Sequence, residues 1–246
     1  MNKPKRLFFD IETSFCIGWF WRPGYNINLP SSNIIHQAKI ICIGYGWEHE
    51  RKLSCISWDK NQNDKSMLQE FARVCKEADE IIYHNGDKFD FPWVRTRCLL
   101  HGIELFPDYR TTDTVKIARS KFRFPDNKLN TIADYLGIGT KKRTTEGLWM
   151  DIVMNKSESA MTKMKAYCKH DVKLLKDVYR ELSKHTESKV HHGVLMDGND
   201  RGSCPSCGGV GTLVKQRLTS TATGLLKAKY RCNKCEKYCT KTYKGE

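Results

Sequence analysis

Residues 6–13, Arg-Leu-Phe-Phe-Asp-Ile-Glu-Thr, form an apolar run interrupted twice by an acid. On a β-strand successive side chains alternate between faces, so Leu7, Phe9 and Ile11 share one side while Asp10 and Glu12 project together from the other. Two carboxylates side by side at the end of an apolar strand repel one another and lose hydration. Either the strand end emerges into water, or the pair shares protons, meets basic partners or holds cations.

Outward from this strand, residues 38–47 and 51–58 read as two further strands around a tight turn. Met67, Leu68, Phe71, Val74, Cys75 and Ala78 recur at helical spacing behind Asp64, a candidate N-cap, and residues 80–85 return as a strand. A helix is expected over 89–101, a less regular segment over 108–127, a short helix from Asn130 to Leu136 ended by Gly137, and a long helix over 158–184. Strands, helix, strand, helices predict an α/β fold, a mixed sheet flanked by helices.

The 246 residues carry 42 Lys and Arg against 28 Asp and Glu, a formal net charge of +14, which favours a polyanionic partner such as nucleic acid. No stretch approaches the ~18 apolar residues of a membrane span, and the opening MNKPKRLFFDIE meets an acid before a signal-like apolar run develops. A soluble protein of a reducing, cytoplasmic compartment is expected. The eleven cysteines are odd in number, which argues against a disulfide framework. Cys16, Cys42, Cys55, Cys75, Cys98 and Cys168 are scattered through apolar runs, as small core residues would be.

Two more acids stand out. Asp90, at the start of a helix, stacks with Trp93, Val94 and Arg97. Asp171 interrupts the stripe Met161, Met164, Cys168, Leu175, Val178, Leu182 on the long helix, one turn after Tyr167. Such a carboxylate either snorkels to the stripe's edge or is held by something positive. Four acids from one strand, the helix after another strand and the final helix, if gathered at one sheet edge, offer the hard oxygen ligands that Mg²⁺ or Mn²⁺ requires.

The segments FFDIET, YHNGDKFDFPWV and YCKHD resemble, in order, the three exonuclease motifs of the DnaQ-like DEDD superfamily of 3′-to-5′ exonucleases. Tyr167 and Asp171 give the Tyr-x-x-x-Asp form of its tyrosine (DEDDy) branch; the histidine branch would place His where Ala166 stands. NGDKFDFPWV followed by KLNTIADYLGIGTKK looks most like the exonuclease domain of family B DNA polymerases, and the resemblance covers about residues 5 to 185. It implies an RNase H-like fold and two Mg²⁺ or Mn²⁺ ions, bridged by Asp10, one completed by Glu12 and Asp171 and the other held by Asp90, partly through water. Tyr167 would orient the attacking water, since a phenol with its ordinary pKa of ~10 is a poor base at neutral pH. Thr13 and Asn85 match positions that touch the terminal nucleotide, or serve as ordinary strand-end and turn residues.

The tail has its own signature. Cys204-x-x-Cys207 and Cys232-x-x-Cys235 are separated by 24 residues, a spacing that suits one structural Zn²⁺ on four thiolates and resembles a zinc ribbon. Cys239, His191 and His192 are expected outside its shell. The organisation read from this is an RNase H-like nuclease domain over 1–187, a linker over 188–201 and the ribbon over 202–246. Residues 191–246 hold ten basic and four acidic residues, so this tail is dense in positive charge.

The aromatic stretch of residues 19–30 could stack on unpaired bases or pack beneath a loop. Lys116, Arg119, Lys121 and Arg123, with Lys141, Lys142 and Arg143, form a phosphate track or a solvated face. The leading expectation is a metal-dependent 3′-to-5′ exodeoxyribonuclease acting on single-stranded or frayed DNA ends, with the ribbon gripping DNA or a replication or repair protein. The alternatives are a 3′-to-5′ exoribonuclease with RNA as substrate, and a zinc-ribbon nucleic-acid adaptor on an inactive nuclease scaffold.

Overall fold

The computed structural model describes residues 4–105, 108–140, 147–195 and 200–243. The chain runs β1 (Arg6–Thr13), β2 (Ile17–Gly18), β3 (Ile34–His36), β4 (Ile40–Trp47), β5 (Ser54–Ser57), α1 (Lys65–Lys76), β6 (Glu80–Tyr83), α2 (Asp90–His101), β7 (Thr111–Asp113), α3 (Thr114–Lys121), α4 (Leu129–Tyr135), α5 (Leu148–Val153), α6 (Glu158–Leu182), α7 (His192–Leu195), β8 (Leu213–Ser220), β9 (Leu226–Cys232) and β10 (Tyr238–Thr242). The main sheet has the order β5-β4-β1-β6-β7: β1 pairs antiparallel with β4 and parallel with β6, so the sheet is mixed, as expected. No helix among the described residues is long and apolar enough to cross a membrane.

Alternation along β1 decides which layer covers which face. Leu7, Phe9 and Ile11 join Ile43, Phe71, Tyr83, Phe91 and Val94 in a core against α1 and α2. The opposite face carries Arg6, Phe8, Asp10 and Glu12 and is covered by α6, where Phe8 meets the Tyr179 ring edge-on at 5.3 Å. The long helix begins where Ser157 Oγ accepts the Ala160 N–H, a side-chain cap for an otherwise orphaned donor.

Three details differ from the sequence reading. Asp64 stands at the N-cap position of α1 but makes no cap bond; fully buried, it accepts Arg97 Nε and Nη2 at 2.7 and 2.8 Å and pairs with His101. A bidentate charged partner outcompetes a neutral backbone N–H. The irregular segment contains β7 and α3, with Asp113 accepting the Val115 N–H as N-cap; three strand residues are too few to show a period. Residues 188–195 also pack: α7 is seated by His192, which is 1% exposed and donates from Nε2 to Glu80 Oε2 (3.2 Å).

This contact belongs to a buried polar joint under the C-terminal sheet, β10-β9-β8. Glu80 also accepts Arg6 Nε (2.8 Å) and Thr112 Oγ1 (2.6 Å), while Arg6 reaches Glu48 (2.7 Å) and the Ser206 carbonyl (2.6 Å). Lys237 of the C-terminal segment lies over the Tyr179 ring at 4.7 Å. Burial penalises the Glu80 carboxylate, but the His192 hydrogen bond and the Arg6 charge outweigh it and hold its pKa down at about 2, below the ordinary 4.5. A depressed carboxylate stabilises the fold fully above pH 4.5 and loses that contribution as pH falls toward 2. Glu80→Gln, which removes the buried one of the two carboxylates paired with Arg6, is expected to cost about 3 kcal/mol in urea unfolding at pH 7 and to flatten the acid limb of the stability curve between pH 4.5 and 2.

Candidate active site

The antiparallel register sets Asp10 opposite Gly44 and Glu12 opposite Cys42, which fixes both carboxylates on the α6 side of the sheet. On α6 the sheet-facing positions Met164, Cys168, Asp171 and Leu175 are buried, so Asp171 comes down beside the strand pair. One carboxylate oxygen each from Asp10, Glu12 and Asp171 lie within 4.8 Å of one another. Asp171 is 1% exposed and the other two are half-buried. Three anionic oxygens this close, partly removed from water, suit a hard divalent ion by both charge and donor type.

Asp90 is not in that close group. It lies 97% out of solvent at the start of α2, with Oδ1 accepting the Ile11 N–H at 3.1 Å, which ties it to the backbone between Asp10 and Glu12. Burial is the main influence on this carboxyl and, with the Asp113 charge adding to it, pushes the pKa up to about 7 despite the Ile11 hydrogen bond. Tyr167 is half-buried and meets Trp149 edge-on at 6.3 Å, and Trp149 Nε1 donates to the Thr13 carbonyl. Thr13 thus stands where the β1–β4 register shifts, beside the carboxylates. Asn85 has φ of +63°, a conformation Asn tolerates, and donates its N–H to Asp113 Oδ1 at 2.8 Å.

Asp113 and Trp149 were not singled out in the sequence. Asp113 accepts N–H groups from Asn85, Asp87 and Val115 and so shapes the loop that leads to Asp90. Its Asp-Thr-Val-Lys context reads as an ordinary helix cap, and only the fold reveals the second duty. Trp149 carries no local signal at all.

The aromatic stretch does not pack beneath a loop: Trp19, Phe20, Trp21 and Tyr25 are 45% to fully exposed around the β2–β3 pair. Lys116 is paired with Asp87, Arg119, Lys121 and Arg123 are exposed, and Lys141, Lys142 and Arg143 lie outside the described residues.

At the end of the C-terminal sheet, on the turns around residues 204–207 and 232–235, the Sγ atoms of Cys204, Cys207, Cys232 and Cys235 lie within 4.8 Å of one another. Cys204 to Cys235 is 3.7 Å and Cys207 to Cys232 is 3.8 Å. A tetrahedral ion with metal–sulfur bonds of ~2.3 Å has sulfur–sulfur edges of roughly 3.8 Å, so the four thiols fit zinc in dimension as well as chemistry. Cys239, His191 and His192 are outside the group, as expected.

The family model RNase_H_2, described as RNase_H superfamily, matches residues 34–183, more than half the chain. The chain belongs to the RNase H superfamily. The match begins after β1, so Asp10 and Glu12 precede it. The chain is also similar to DNA polymerases of Thermococcus litoralis (29% identical over 149 residues, 56% of this chain) and Thermococcus hydrothermalis (32% over 130 residues, 49% of this chain). The aligned part spans only 7% of each of those proteins. The fold resembles that of the family B DNA polymerase of Pyrobaculum calidifontis, with a TM-score of 0.56 over 73% of this chain and 24% of that one, at 16% identity.

Proposed function

We propose that this RNase H superfamily chain is a metal-dependent 3′-to-5′ exonuclease of the DEDDy type acting on DNA ends. The convergence of the Asp10, Glu12 and Asp171 carboxylates beside Tyr167 carries the reading. These three acids, with Asp90 behind Ile11, would hold two Mg²⁺ or Mn²⁺ ions. Bound there, the ions would supply Lewis-acid stabilisation of the attacking and leaving oxygens of a phosphodiester.

The protein's own groups do the rest. Asp10 and Glu12 are held rigid by the strand ladder, and Asp171 by the longest helix, so their separation is set by packing. Tyr167, one turn before Asp171 and braced by Trp149, is placed to orient a water without having to ionise. The exposed rings of Trp19, Trp21 and Tyr25 lie in the segment between β2 and β3 and offer faces on which unpaired bases stack. The four-cysteine sheet is assigned one structural zinc; fixed through Arg6 and Glu80, it extends the basic surface for DNA or for a protein of replication or repair.

End-labelled DNA and RNA strands, single and double, incubated with Mg²⁺ or Mn²⁺ test the reading. Stepwise shortening of DNA from the 3′ end is expected. Asp10→Ala or Asp171→Ala should abolish it with the fold retained, and wild-type turnover in either would overturn the assignment. Tyr167→Phe should slow single-turnover cleavage by on the order of 10- to 1,000-fold. RNA shortened faster than DNA would instead favour the exoribonuclease reading.

The zinc assignment has a separate test, because all six tryptophans lie at or before position 149. Tryptophan fluorescence therefore reports the nuclease body alone. Removing the thiolate-bound metal with a chelator is expected to lower the body's melting midpoint by several degrees, through loss of the Ser206 and His192 contacts to Arg6 and Glu80. An unchanged midpoint would show that the C-terminal sheet is not coupled to the body.

A further inference from the structure

Three of the cysteines expected to be scattered core residues meet. The Sγ atoms of Cys42 on β4, Cys55 on β5 and Cys168 on α6 lie within 4.8 Å of one another. Their convergence has a clear structural cause. Cys55 pairs with Gly44, so Cys42, two residues earlier on β4, is its diagonal neighbour on the same face of the sheet. Gly44 leaves a notch into which Cys168 descends: a Cβ added there would stand 2.8 Å from the Cys168 Sγ and 3.1 Å from its carbonyl oxygen. The Gly44 N–H donates to that sulfur at 3.1 Å.

We propose that Cys42, Cys55 and Cys168 form a second metal site, separate from the four-cysteine sheet, that takes one Cu(I) ion on three thiolates. Three sulfurs and no oxygen form a soft ligand set, which selects against the Mg²⁺ and Mn²⁺ suited to the neighbouring carboxylates. Zinc in a closed site wants a fourth donor, and this group has three members among the described residues, whereas Cu(I) is saturated by three thiolates. Cys42 and Cys168 are fully buried, which shields the ion from water and oxygen, and half-buried Cys55 leaves a route in. Lys165 and Lys169 lie near Cys55 and offset the added negative charge. Binding releases three protons and transfers no electrons.

The site would fasten α6 to β4 and β5 immediately beside Tyr167 and one turn before Asp171. Copper uptake is measured without reference to cleavage, so the proposal stands or falls independently of the nuclease reading. The full chain, zinc-loaded and reduced under anaerobic conditions, is titrated with Cu(I) held by a coloured chelator, and both metals are counted per chain. One Cu(I) bound with zinc retained is the expected result, with three sulfur neighbours in X-ray absorption. Cys42→Ser and Cys55→Ser should each lose that equivalent, while Cys75→Ser, on α1 in the core of the opposite sheet face, should keep it. Because Cys55 is half-buried, its serine variant keeps the fold, verified by circular dichroism and retained zinc. Copper that enters only as zinc leaves, uptake unchanged in Cys55→Ser, or no uptake by the reduced protein would each overturn the proposal.

Discussion

The face of β1 that α6 covers carries Arg6, Phe8, Asp10 and Glu12, three charges among four positions in the middle of a five-stranded sheet. A covered sheet face ordinarily excludes charge, because desolvating an ion costs several kcal/mol unless partners restore what water supplied. The rest of the molecule is arranged around meeting that requirement at the two ends of one strand. Over six residues, a rise of roughly 20 Å, the same alternation that fills the α1–α2 core with Leu7, Phe9 and Ile11 forces these charges under the helix.

The two ends solve the problem differently. At the Arg6 end the protein supplies everything: Glu80, Glu48 and the Ser206 carbonyl take up the guanidinium, and Thr112 and His192 complete Glu80. At the other end Asp10, Glu12 and Asp171 gather like charges, an arrangement whose charge and donor type suit a divalent cation. A joint of internally matched charges holds structure, whereas the group of like charges is the one proposed above to take divalent ions. One strand thus carries both the contact to the C-terminal segment and two of the three carboxylates.

Between the strand and α6 the contact distance is set by absence of bulk. Gly44 opposite Asp10 lets Cys168 enter the notch, and this draws Asp171, one turn further along α6, to the height of the strand carboxylates. The same close approach brings the three thiols together. Carboxylate and thiol groups of opposite ligand preference therefore stand side by side, one hard and one soft, as a consequence of a single helix seated on a single glycine.

Much of this was legible in the residue order. The alternation in RLFFDIET assigned faces correctly, helical spacing put Asp171 within an apolar stripe, and two C-x-x-C knuckles announced a four-thiol group, because each is a local pattern with a fixed geometric period. Asp64, Asp113 and the thiol trio were not legible. Asp64 reads as a cap until Arg97 from another helix reaches it, Asp113 reads as a cap while also gripping the loop before Asp90, and Cys42, Cys55 and Cys168 have no spacing to notice. The sequence by itself determined which side chains share a face, since strand and helix periods are properties of the backbone. Only the tertiary structure decided which faces meet, because strand register, crossover and helix seating are contacts between residues far apart in the chain.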